Sequence, residues 1–370
     1  MKIAIDISSA AKPYPTGIGR YSVELVRTIV QLFRPNDGMR LLIRPSRWKH
    51  RGWISPLAKL DGIESPRLHT GALPALFVRR DEVFHCTGTS LPAALAALKL
   101  VTVHDMLVLE GPGLAAAPWI KKRGEKTQKV IARADMILAV SGFTRERILC
   151  HFPELSPERV RVTHNGFDHG QFSPERKPGD QDTLSRYAIM DRPYILFVGR
   201  IGRRKNPDGL IRAFARTKAA RDHLLVFAGP HFDSDTDSIA RDAQTHARVR
   251  FLDWVPDNDL PALYRGAAAF ALPSHYEGFG IPLVEAMACG TPSLASNVTA
   301  LPEVAGDAAL LANPEDVDDI AAKLDRLLTD QTLRRDLRVR GPLQAKKFTW
   351  RACAETTLAA YRDLLVMGRR

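Results

Sequence analysis

The chain alternates between short apolar runs and longer segments in which apolar residues recur at helical spacing. This alternation is typical of parallel sheets whose strands are joined by crossover helices. In the first half of the chain it predicts strands at 2–7, 40–43, 83–85, 100–104, 136–140 and 160–163. In the second half it predicts strands at 194–198, 224–228, 249–252, 268–272 and 292–295. Residues 22–32 and 350–365 have the apolar spacing of helices.

The length of the chain indicates more than one domain. Its 370 residues are too many for one ordinary core and fit two α/β domains. Residues 173–180 are rich in proline, glycine and charge, which is typical of a linker. We therefore predict a first domain over residues 1–175 and a second over residues 185–349.

Composition indicates a folded intracellular protein. Hydrophobic residues make up 45% of the chain, as in globular domains. The four cysteines are far apart and form no CxxC pair, so we expect neither a disulfide framework nor a zinc site. Residues 1–6 are interpreted as a strand rather than a signal peptide, and no stretch approaches the roughly 20 apolar residues of a membrane span. A cytoplasmic protein is expected, soluble or peripheral at the inner face of the membrane.

The formal charge of +12 is uneven along the chain. Residues 1–180 hold 27 Lys and Arg against 17 Asp and Glu, and residues 181–370 hold 26 against 24. A one-sided basic surface is typical of binding to nucleic acid, anionic membrane or an acidic ligand, and equally of a merely soluble surface. No nucleic-acid-binding motif accompanies it, so no nucleic-acid partner is expected. Two segments mix cations with indoles and predict contact with anionic membrane: Arg44, Arg47, Trp48, Lys49, Arg51 and Trp53, and Trp119, Lys121, Lys122, Arg123, Lys126 and Lys129.

Two motifs in the first half follow predicted strands. Gly17 and Gly19 stand between the first strand and a helix, where a bare backbone and free N–H groups suit an anion, although glycine also serves tight turns. His104 and Asp105 end a strand, where ligands bind in open parallel sheets. They can orient hydroxyls or shuttle protons. Alternatively, Asp105 only caps the next helix.

Two further motifs lie in the second half. Residues 197–207 form a strand, a glycine turn dense in cations and a helix start, and Arg200 and Lys205 could neutralise a pyrophosphate unless the loop is simply solvated. Residues 274–292 run from a strand through Gly278-Phe279-Gly280 into a helix, with Glu277 and Glu285 eight residues apart. The N–H groups of Gly280 and Ile281 would face a phosphate, and the two carboxylates would accept hydroxyl hydrogen bonds.

The run from 274 to 292 resembles the Glu-x7-Glu signature of the retaining glycosyltransferases of family 4, which have the GT-B fold. The other motifs follow that family's order: Gly17 and Gly19, His104-Asp105, residues 140–144, residues 165–168, and Gly199-Arg200 with Lys205. The resemblance implies an α/β protein of two Rossmann-like domains facing each other across a deep cleft. It also implies a C-terminal helix, residues 350–370, that crosses back to the N-terminal domain.

The resemblance also implies roles for the motif residues. The N-terminal domain would bind the acceptor and the C-terminal domain the nucleotide sugar. Glu285 would bind the donor ribose, and Gly278, Phe279, Gly280 and Ile281 would surround the donor. Arg200 and Lys205 would contact its diphosphate, with Gly17 and Gly19 closing over the phosphates. The catalytic group would be His104, Asp105 and Glu277. The N-terminal loop holds fewer glycines than many members have, which weakens the assignment of its contacts.

The reaction expected from this resemblance is hexosyl transfer with retention from a nucleotide sugar to a glycan or lipid-linked glycan, in bacterial cell-surface polysaccharide synthesis. The strings 276–282 and 296–303 resemble those of bacterial polysaccharide mannosyltransferases, so GDP-mannose is the expected donor. Asp253 could accept from a guanine, or it could only cap a turn, which leaves a UDP-sugar as the alternative. A sugar-nucleotide epimerase and a non-catalytic scaffold partner are the further alternatives.

No cofactor and no metal are expected. The acidic run at 233–237 looks like a metal-binding DxD or EF-hand start, but Ser238 stands where an EF-hand needs glycine and Gln244 where it needs glutamate. The eleven histidines show no ligand-like clustering.

Overall fold

A computed structural model describes residues 1–13, 16–68, 78, 82–88, 91–92, 97–110, 119–189, 192–231, 236–242 and 244–368. These residues divide into two compact units: those of 1–112, 116–166 and 350–370 form unit 1, and those of 167–349 form unit 2. The strands are β1 Lys2–Asp6, β2 Gly38–Ile43, β3 Ile63–Leu68, β4 Val83–Cys86, β5 Leu98–Val103, β6 Met136–Ala139, β7 Val160–Val162, β8 Tyr194–Val198, β9 Leu224–Ala228, β10 Val249–Phe251, β11 Ala269–Leu272, β12 Ser293–Ser296 and β13 Leu310–Ala312.

The α-helices of the described residues are α1 Gly17–Gln31, α2 Leu107–Glu110, α3 Trp119–Arg133, α4 Gly142–His151, α5 Asp180–Arg186, α6 Pro207–Arg216, α7 Thr236–Asp242, α8 Leu260–Gly266, α9 Ile281–Ala288, α10 Leu301–Ala305, α11 Val317–Thr329, α12 Gln331–Ala345 and α13 Trp350–Met367. None of these described helices is long and apolar enough to span a bilayer.

Each unit is built on one parallel sheet, as predicted. The order is β3-β2-β1-β4-β5-β6-β7 in unit 1 and β10-β9-β8-β11-β12-β13 in unit 2. Every pair of neighbouring strands runs parallel. All eleven predicted strands are present, with ends shifted by at most two residues. In the first unit, β5 ends at Val103, so His104 begins the loop after the strand rather than ending the strand itself.

Two edge strands were not predicted. β3 contains Pro66 and charged residues, which do not form an apolar run, but an edge strand pairs on one side only and tolerates them. β13 is three residues long and lies at the other sheet's edge, beside β12. Both strands were missed because edge strands need less burial than central ones.

The end of the first unit differs from the predicted boundary. Residues 167–175, which the sequence analysis assigned to the first domain, belong to unit 2. Phe167 bridges to Thr349, and the ring of Phe172 packs edge-on against Tyr264 at 5.9 Å. These aromatic contacts hold the segment to unit 2 before the proline-rich stretch begins.

The C-terminal helix α13 completes the core of unit 1. On one face of the sheet, α1 and α13 pack together through buried residues: Tyr21, Leu25 and Ile29 from α1, and Leu358, Tyr361 and Leu364 from α13. Unit 1 is therefore assembled from both ends of the chain.

Candidate active site

In unit 2, polar and glycine residues follow the ends of neighbouring strands. Gly199 follows β8, Gly229 follows β9, and Ser274 follows β11 closely. Gly199 and Gly229 have φ of +129° and +149°, and a Cβ on Gly229 would lie 2.1 Å from the Gly199 carbonyl oxygen. Only glycine allows this approach, so the two turns lie side by side at the carboxyl edge of the sheet.

Lys205 is fixed just before helix α6. Its neighbour Asn206 adopts a left-handed conformation, and the Asn206 side chain accepts a hydrogen bond of 3.0 Å from the N–H of Gly209. Pro207 then begins the helix with the φ that helices need. This cap holds Lys205 in a buried position, 7% exposed, beside the Gly199 turn.

Glu277 lies at the centre of a buried cluster of charges. Lys205 Nζ donates to its Oε1 at 2.7 Å, and Arg204 donates to its Oε2 at 2.9 Å. The Ser274 hydroxyl donates to Oε1 at 3.1 Å, and the N–H of Glu277 donates to the Thr299 hydroxyl at 3.1 Å. The carboxylate is thus bound from three sides and held in one orientation.

The electrostatics of this cluster keep Glu277 ionised. Burial alone would raise its pKa, but the Arg204 and Lys205 cations and their hydrogen bonds outweigh burial and lower the pKa to about 2. Burial lowers the pKa of Lys205, and the charge of Glu277 limits that decrease. Arg204 and Lys205 with Glu277 carry a formal charge of +1, and the charge of the nearby Glu285 also acts on Lys205, so Arg200 supplies the further cation of this loop.

The helix after Glu277 begins in the way the sequence predicted. Gly280 has φ of +102°, and a Cβ there would lie 2.5 Å from Leu301 Cδ2, so the turn requires glycine. Ile281 and Pro282 open α9; Pro282 has no N–H, and the N–H groups of Leu283 and Val284 donate to the Gly280 carbonyl, so Ile281 contributes the N–H at the start of the helix. Gly278 is buried, and Phe279 packs edge-on against Phe348 at 5.3 Å. Phe279 therefore anchors the turn from below rather than presenting its ring to solvent.

Glu285 lies one turn into α9 and is 2% exposed. The hydroxyl of Tyr264 donates to its Oε2 at 2.9 Å, and Tyr264 is fixed in turn by Thr291, whose hydroxyl donates to the Tyr264 carbonyl at 2.7 Å. A buried carboxylate with an aromatic hydroxyl on one oxygen is oriented before any ligand arrives.

Arg200 lies in the same loop as Lys205 but is exposed. The structure thus brings Lys205 and Glu277 into direct contact and keeps Arg200 at the surface. Arg204 stands beside Lys205 in the same basic run and is the second cation on Glu277, and it was not among the predicted site residues. Tyr264 was not predicted either, because a tyrosine in an ordinary amphipathic helix carries no sequence signal for a carboxylate partner.

In unit 1, His104 follows β5 and has a defined tautomer. Its Nε2 lies 3.0 Å from the Thr87 carbonyl oxygen, which can only accept, so Nε2 carries the hydrogen. Burial lowers the pKa of His104, against the Thr87 hydrogen bond and the charge of Asp105. The neutral ring then has Nδ1 as an acceptor. Tyr21 packs edge-on against the ring at 4.8 Å.

Behind His104 lies a buried hydrogen-bonded network that no sequence motif predicted. His85 binds the Tyr361 hydroxyl through Nδ1 and the Thr102 hydroxyl through Nε2, both at 2.7 Å. Thr102 reaches Tyr21 at 3.0 Å. Burial, with a smaller contribution from His104, lowers the pKa of His85 to about 3, so that ring is neutral. The network ties α13 to the strand that presents His104.

A cavity of about 50 Å³ lies beside His104 and Asp105 in the described part of unit 1. Arg123 and Thr127 of α3 also line it, and the buried Thr127 hydroxyl has no hydrogen-bond partner among the described residues. The space suits a few water molecules. Gly17 and Gly19 lie in the first turn of α1, and a Cβ on Gly17 would meet no described atom within 4 Å. The fold therefore does not require glycine at position 17.

The two predicted membrane segments both lie in unit 1. The first forms a 3-10 segment, Pro45–Ile54, in which Trp53 is 59% exposed and the Arg51 guanidinium lies 5.0 Å above the Trp48 ring. In the second, Lys121, Lys122, Arg123, Lys126 and Lys129 are exposed on α3, while the side chain of Trp119 lies outside the described residues. The acidic run at 233–237 also lies largely outside them. The residues that the structure describes include no group of three His, Cys, Asp or Glu side chains that could hold a metal ion.

Comparisons with known proteins agree with this architecture. Residues 15–171 match a family model described as Glycosyltransferase Family 4, and residues 183–344 match one described as Glycosyl transferases group 1. The O-antigen chain mannosyltransferase B of Escherichia coli is 32% identical over 95% of this chain and 97% of its own length. The MMP alpha-(1->4)-mannosyltransferase of Mycolicibacterium hassiacum is 31% identical over 96% of this chain and 89% of its own.

Solved structures share the fold at lower identity. Sucrose-phosphate synthase from Thermosynechococcus elongatus superposes with a TM-score of 0.77 at 21% identity, over 99% of this chain and 100% of that one. Anabaena HepE, solved with UDP and glucose, superposes with a TM-score of 0.78 at 15% identity, over 98% and 100%. The protein is thus a glycosyltransferase of the GT-B fold class. Its chain belongs to glycosyltransferase family 4, as its motifs predicted.

Proposed function

We propose that the protein transfers mannose from GDP-mannose, with retention of anomeric configuration, to a glycan or lipid-linked glycan acceptor in bacterial cell-surface polysaccharide synthesis. The observation that carries the proposal is the cluster of Arg204, Lys205 and Glu277 beside the Gly280 turn, with Glu285 one helical turn further on. The names of the two mannosyltransferase relatives support mannose as the transferred sugar.

In this proposal unit 2 binds the donor. The cations of the cluster, together with Arg200 and the N–H of Ile281 at the start of α9, stabilise the pyrophosphate as its charge develops. Glu285, held on one side by Tyr264, accepts hydrogen bonds from the ribose hydroxyls, and Glu277 orients the hydroxyls of the donor sugar. These charges and dipoles are already in place before the donor binds, so little reorganisation is needed during the reaction.

Unit 1 binds the acceptor in the same proposal. His104 is neutral and keeps Nδ1 as an acceptor, which suits a hydrogen bond from a sugar hydroxyl rather than donation of a proton. Asp105 stands next to it as a charged neighbour, and Gly17 and Gly19 leave the start of α1 open to a phosphate. No described residue is assigned as a covalent nucleophile. NMR of the product, read at the anomeric proton and its bonded carbon, tests retention. A product with inverted anomeric configuration contradicts it.

Asp253 bears on the choice between GDP-mannose and a UDP-sugar as the donor. It follows β10, and its carboxylate could accept from N1–H and N2–H₂ of a guanine. Its φ of +49° also fits an aspartate used in a left-handed turn for its backbone alone, and in that case a UDP-sugar is the alternative donor. Calorimetry with GDP and UDP separates the two. GDP binding tighter by tenfold, about 1.4 kcal/mol, is expected; the reverse preference contradicts GDP-mannose and leaves the reaction class standing.

Transferase activity is separable from the other GT-B roles. A donor-only assay detects an epimerase, which converts the nucleotide sugar without any acceptor. A scaffold partner would bind nucleotide without turnover. We expect nucleotide release that depends on a lipid-linked glycan acceptor. Mass spectrometry should then detect the lengthened product.

We also propose that unit 1 contacts the anionic inner face of the cytoplasmic membrane through residues 44–53 and the basic face of α3. The exposed Trp53 indole beside Arg51 and Lys49 has the chemistry of an interfacial anchor. Liposome sedimentation tests this: binding to phosphatidylglycerol vesicles falls in Trp53→Ser, whereas equal binding to neutral vesicles at low salt contradicts the proposal.

A further inference from the structure

Helix α12 of unit 2 has one buried and one exposed face. On the buried face a Cβ at Gly341 would lie 2.9 Å from the Met287 carbonyl oxygen, so α12 packs closely on α9, the helix that carries Glu285. On the opposite face Val339 is 63% exposed and Leu343 is 58% exposed. They lie one turn apart and are two of the six large hydrophobic residues that are exposed in the described chain.

Cations surround these two aliphatic side chains. Arg334, Arg335 and Arg338, with Gln331, line a surface cavity of about 240 Å³ at the start of α12. Arg335 lies one turn before Val339 on the same face, and Lys346 follows Leu343 by three residues. Along the exposed face of α12, guanidinium groups therefore come first, the two aliphatic side chains follow, and the cation of Lys346 comes last.

The three cavity arginines lack acidic partners. The one acid within α12, Asp336, pairs with Arg340, which also contacts Asp307. Arg334 donates to the Leu328 carbonyl and Arg335 to the Gln331 carbonyl, and in the described chain no carboxylate forms an ion pair with either of them or with Arg338. Burial, and then the nearby Arg338 cation, lowers the pKa of Arg334. An anion in this cavity would relieve that crowding of like charges.

We propose that the exposed side of α12, defined as Arg335, Arg338, Val339 and Leu343, with the half-buried Arg334 at its edge toward the packed side, binds the surface of a bilayer that contains anionic phospholipid. The arginines bind headgroup phosphates, for which their fork of N–H donors is suited. Val339 and Leu343 enter the boundary of the acyl chains, as the apolar side of an interfacial helix does. A soluble anion alone would leave the two aliphatic side chains without a role. The proposal does not depend on the donor or the acceptor.

Vesicle partition tests it with a charge-matched control. Arg334→Gln, Arg335→Gln and Arg338→Gln combined remove three charges from the face. Arg212→Gln, Lys218→Gln and Arg221→Gln combined remove three exposed charges elsewhere in unit 2. For vesicles of phosphatidylglycerol and phosphatidylcholine at low salt, each cation contributes about fivefold to binding. We expect at least a tenfold loss for the α12 variant beyond that of the control, and equal losses overturn the proposal.

A second variant separates insertion of the aliphatic side chains from binding by charge alone. Val339→Ser with Leu343→Ser keeps every charge and should lower partition severalfold. If this variant binds vesicles like the wild-type protein while the arginine variant does not, the face binds headgroups by charge alone without entering the acyl boundary, and the proposal fails. Calorimetry with free nucleotide should be unchanged in both variants, which distinguishes loss of this surface from loss of the donor site.

A probe on the face itself separates its binding from any binding by unit 1. Cys150 is the one exposed cysteine, and the other three are buried, so Cys150→Ser provides a background for labelling. An environment-sensitive fluorophore on Leu343→Cys should shift to shorter wavelength with phosphatidylglycerol vesicles, and on Lys218→Cys it should not. Identical spectra at the two positions contradict insertion of this face.

Discussion

Glu277 accepts from two cations and a hydroxyl, and its side chain is only 9% exposed. Such a carboxylate has a large effect on stability because removing it leaves Arg204 and the buried Lys205 without their counter-charge. Protonation at low pH removes the contribution of Glu277 to stability. Measurements of stability at several pH values therefore separate this contribution from any role of Glu277 in binding a ligand.

The pH dependence of this contribution has a definite sign. The pKa of Glu277 falls from an ordinary 4.5 to about 2 in the folded protein. The stabilisation is therefore present in full above about pH 4.5 and is lost as the pH falls toward 2. At neutral pH, Glu277→Gln should lower the free energy of unfolding by about 3 kcal/mol. In urea unfolding between pH 6 and pH 3, the gap to wild type should narrow, while exposed Glu355→Gln stays near zero. A gap independent of pH contradicts the pKa.

Glu285 gives a direct test of the donor site. A carboxylate that accepts two hydroxyl hydrogen bonds is worth about 3–4 kcal/mol, so Glu285→Ala should lower turnover roughly 10²–10³-fold. Tyr264→Phe removes only the hydroxyl that orients Glu285 and should cost less. Turnover and nucleotide calorimetry are measured on variants whose melting temperatures show that they are folded. A folded Glu285→Ala with nearly normal turnover would remove Glu285 from the site.

At the scale of elements, the start of α9 depends on one backbone conformation. Gly280→Ala forces a side chain to φ of +102° and brings its Cβ against Leu301, at a cost of about 1–3 kcal/mol. Gly179→Ala is the matched control, because its φ is −82° and a Cβ there would meet no described atom within 4 Å. Thermal unfolding should show a lower melting temperature for the first variant only, and equal melting temperatures would contradict the strain.

The packing of the C-terminal helix α13 should depend on the buried hydroxyl of Tyr361. Tyr361→Phe leaves Nδ1 of His85 buried without a partner, which costs about 1–3 kcal/mol. Tyr187→Phe, whose hydroxyl donates to Asp259 nearer the surface, should cost less. Urea unfolding measures both variants. If Tyr361→Phe is as stable as wild type, the network does not hold α13 in place.

The central elements were predictable, and the polar contacts among them were not. The apolar pattern predicted β8 and β11 because central strands are apolar throughout. Gly278 and Gly280 indicated where α9 begins. The network of His85, Thr102 and Tyr361 joins residues up to 276 positions apart, so no local pattern in the sequence could reveal it. Arg204 and Lys205 were ambiguous for the same reason: which of several adjacent cations points inward depends on the fold around them.

At the scale of the whole molecule, the positive charge contributes both to the proposed membrane contact and to the proposed donor site. The formal balance of +12 is concentrated in the first half of the chain, which supports the proposed contact with anionic membrane. In unit 2 the overall balance is small, so the cations of the donor site and of α12 act locally. Salt should therefore weaken membrane binding strongly and donor binding less, because buried pairs are screened less than exposed ones.

Turnover should survive chelation of divalent metal ions. A diphosphate carries charge that enzymes neutralise either with metal ions or with cations and N–H donors of the protein. Here Arg204 and Lys205 place two cations beside Glu277, Arg200 adds a third in the same loop, and α9 begins with the N–H of Ile281. We expect the rate in excess EDTA to remain within about twofold of the rate in Mg²⁺, well under the tenfold that 1.4 kcal/mol would produce. The control is Lys205→Ala, which should lose turnover with or without metal. Complete loss in EDTA, restored by Mn²⁺ or Mg²⁺, would show that the donor diphosphate is held through a metal ion instead.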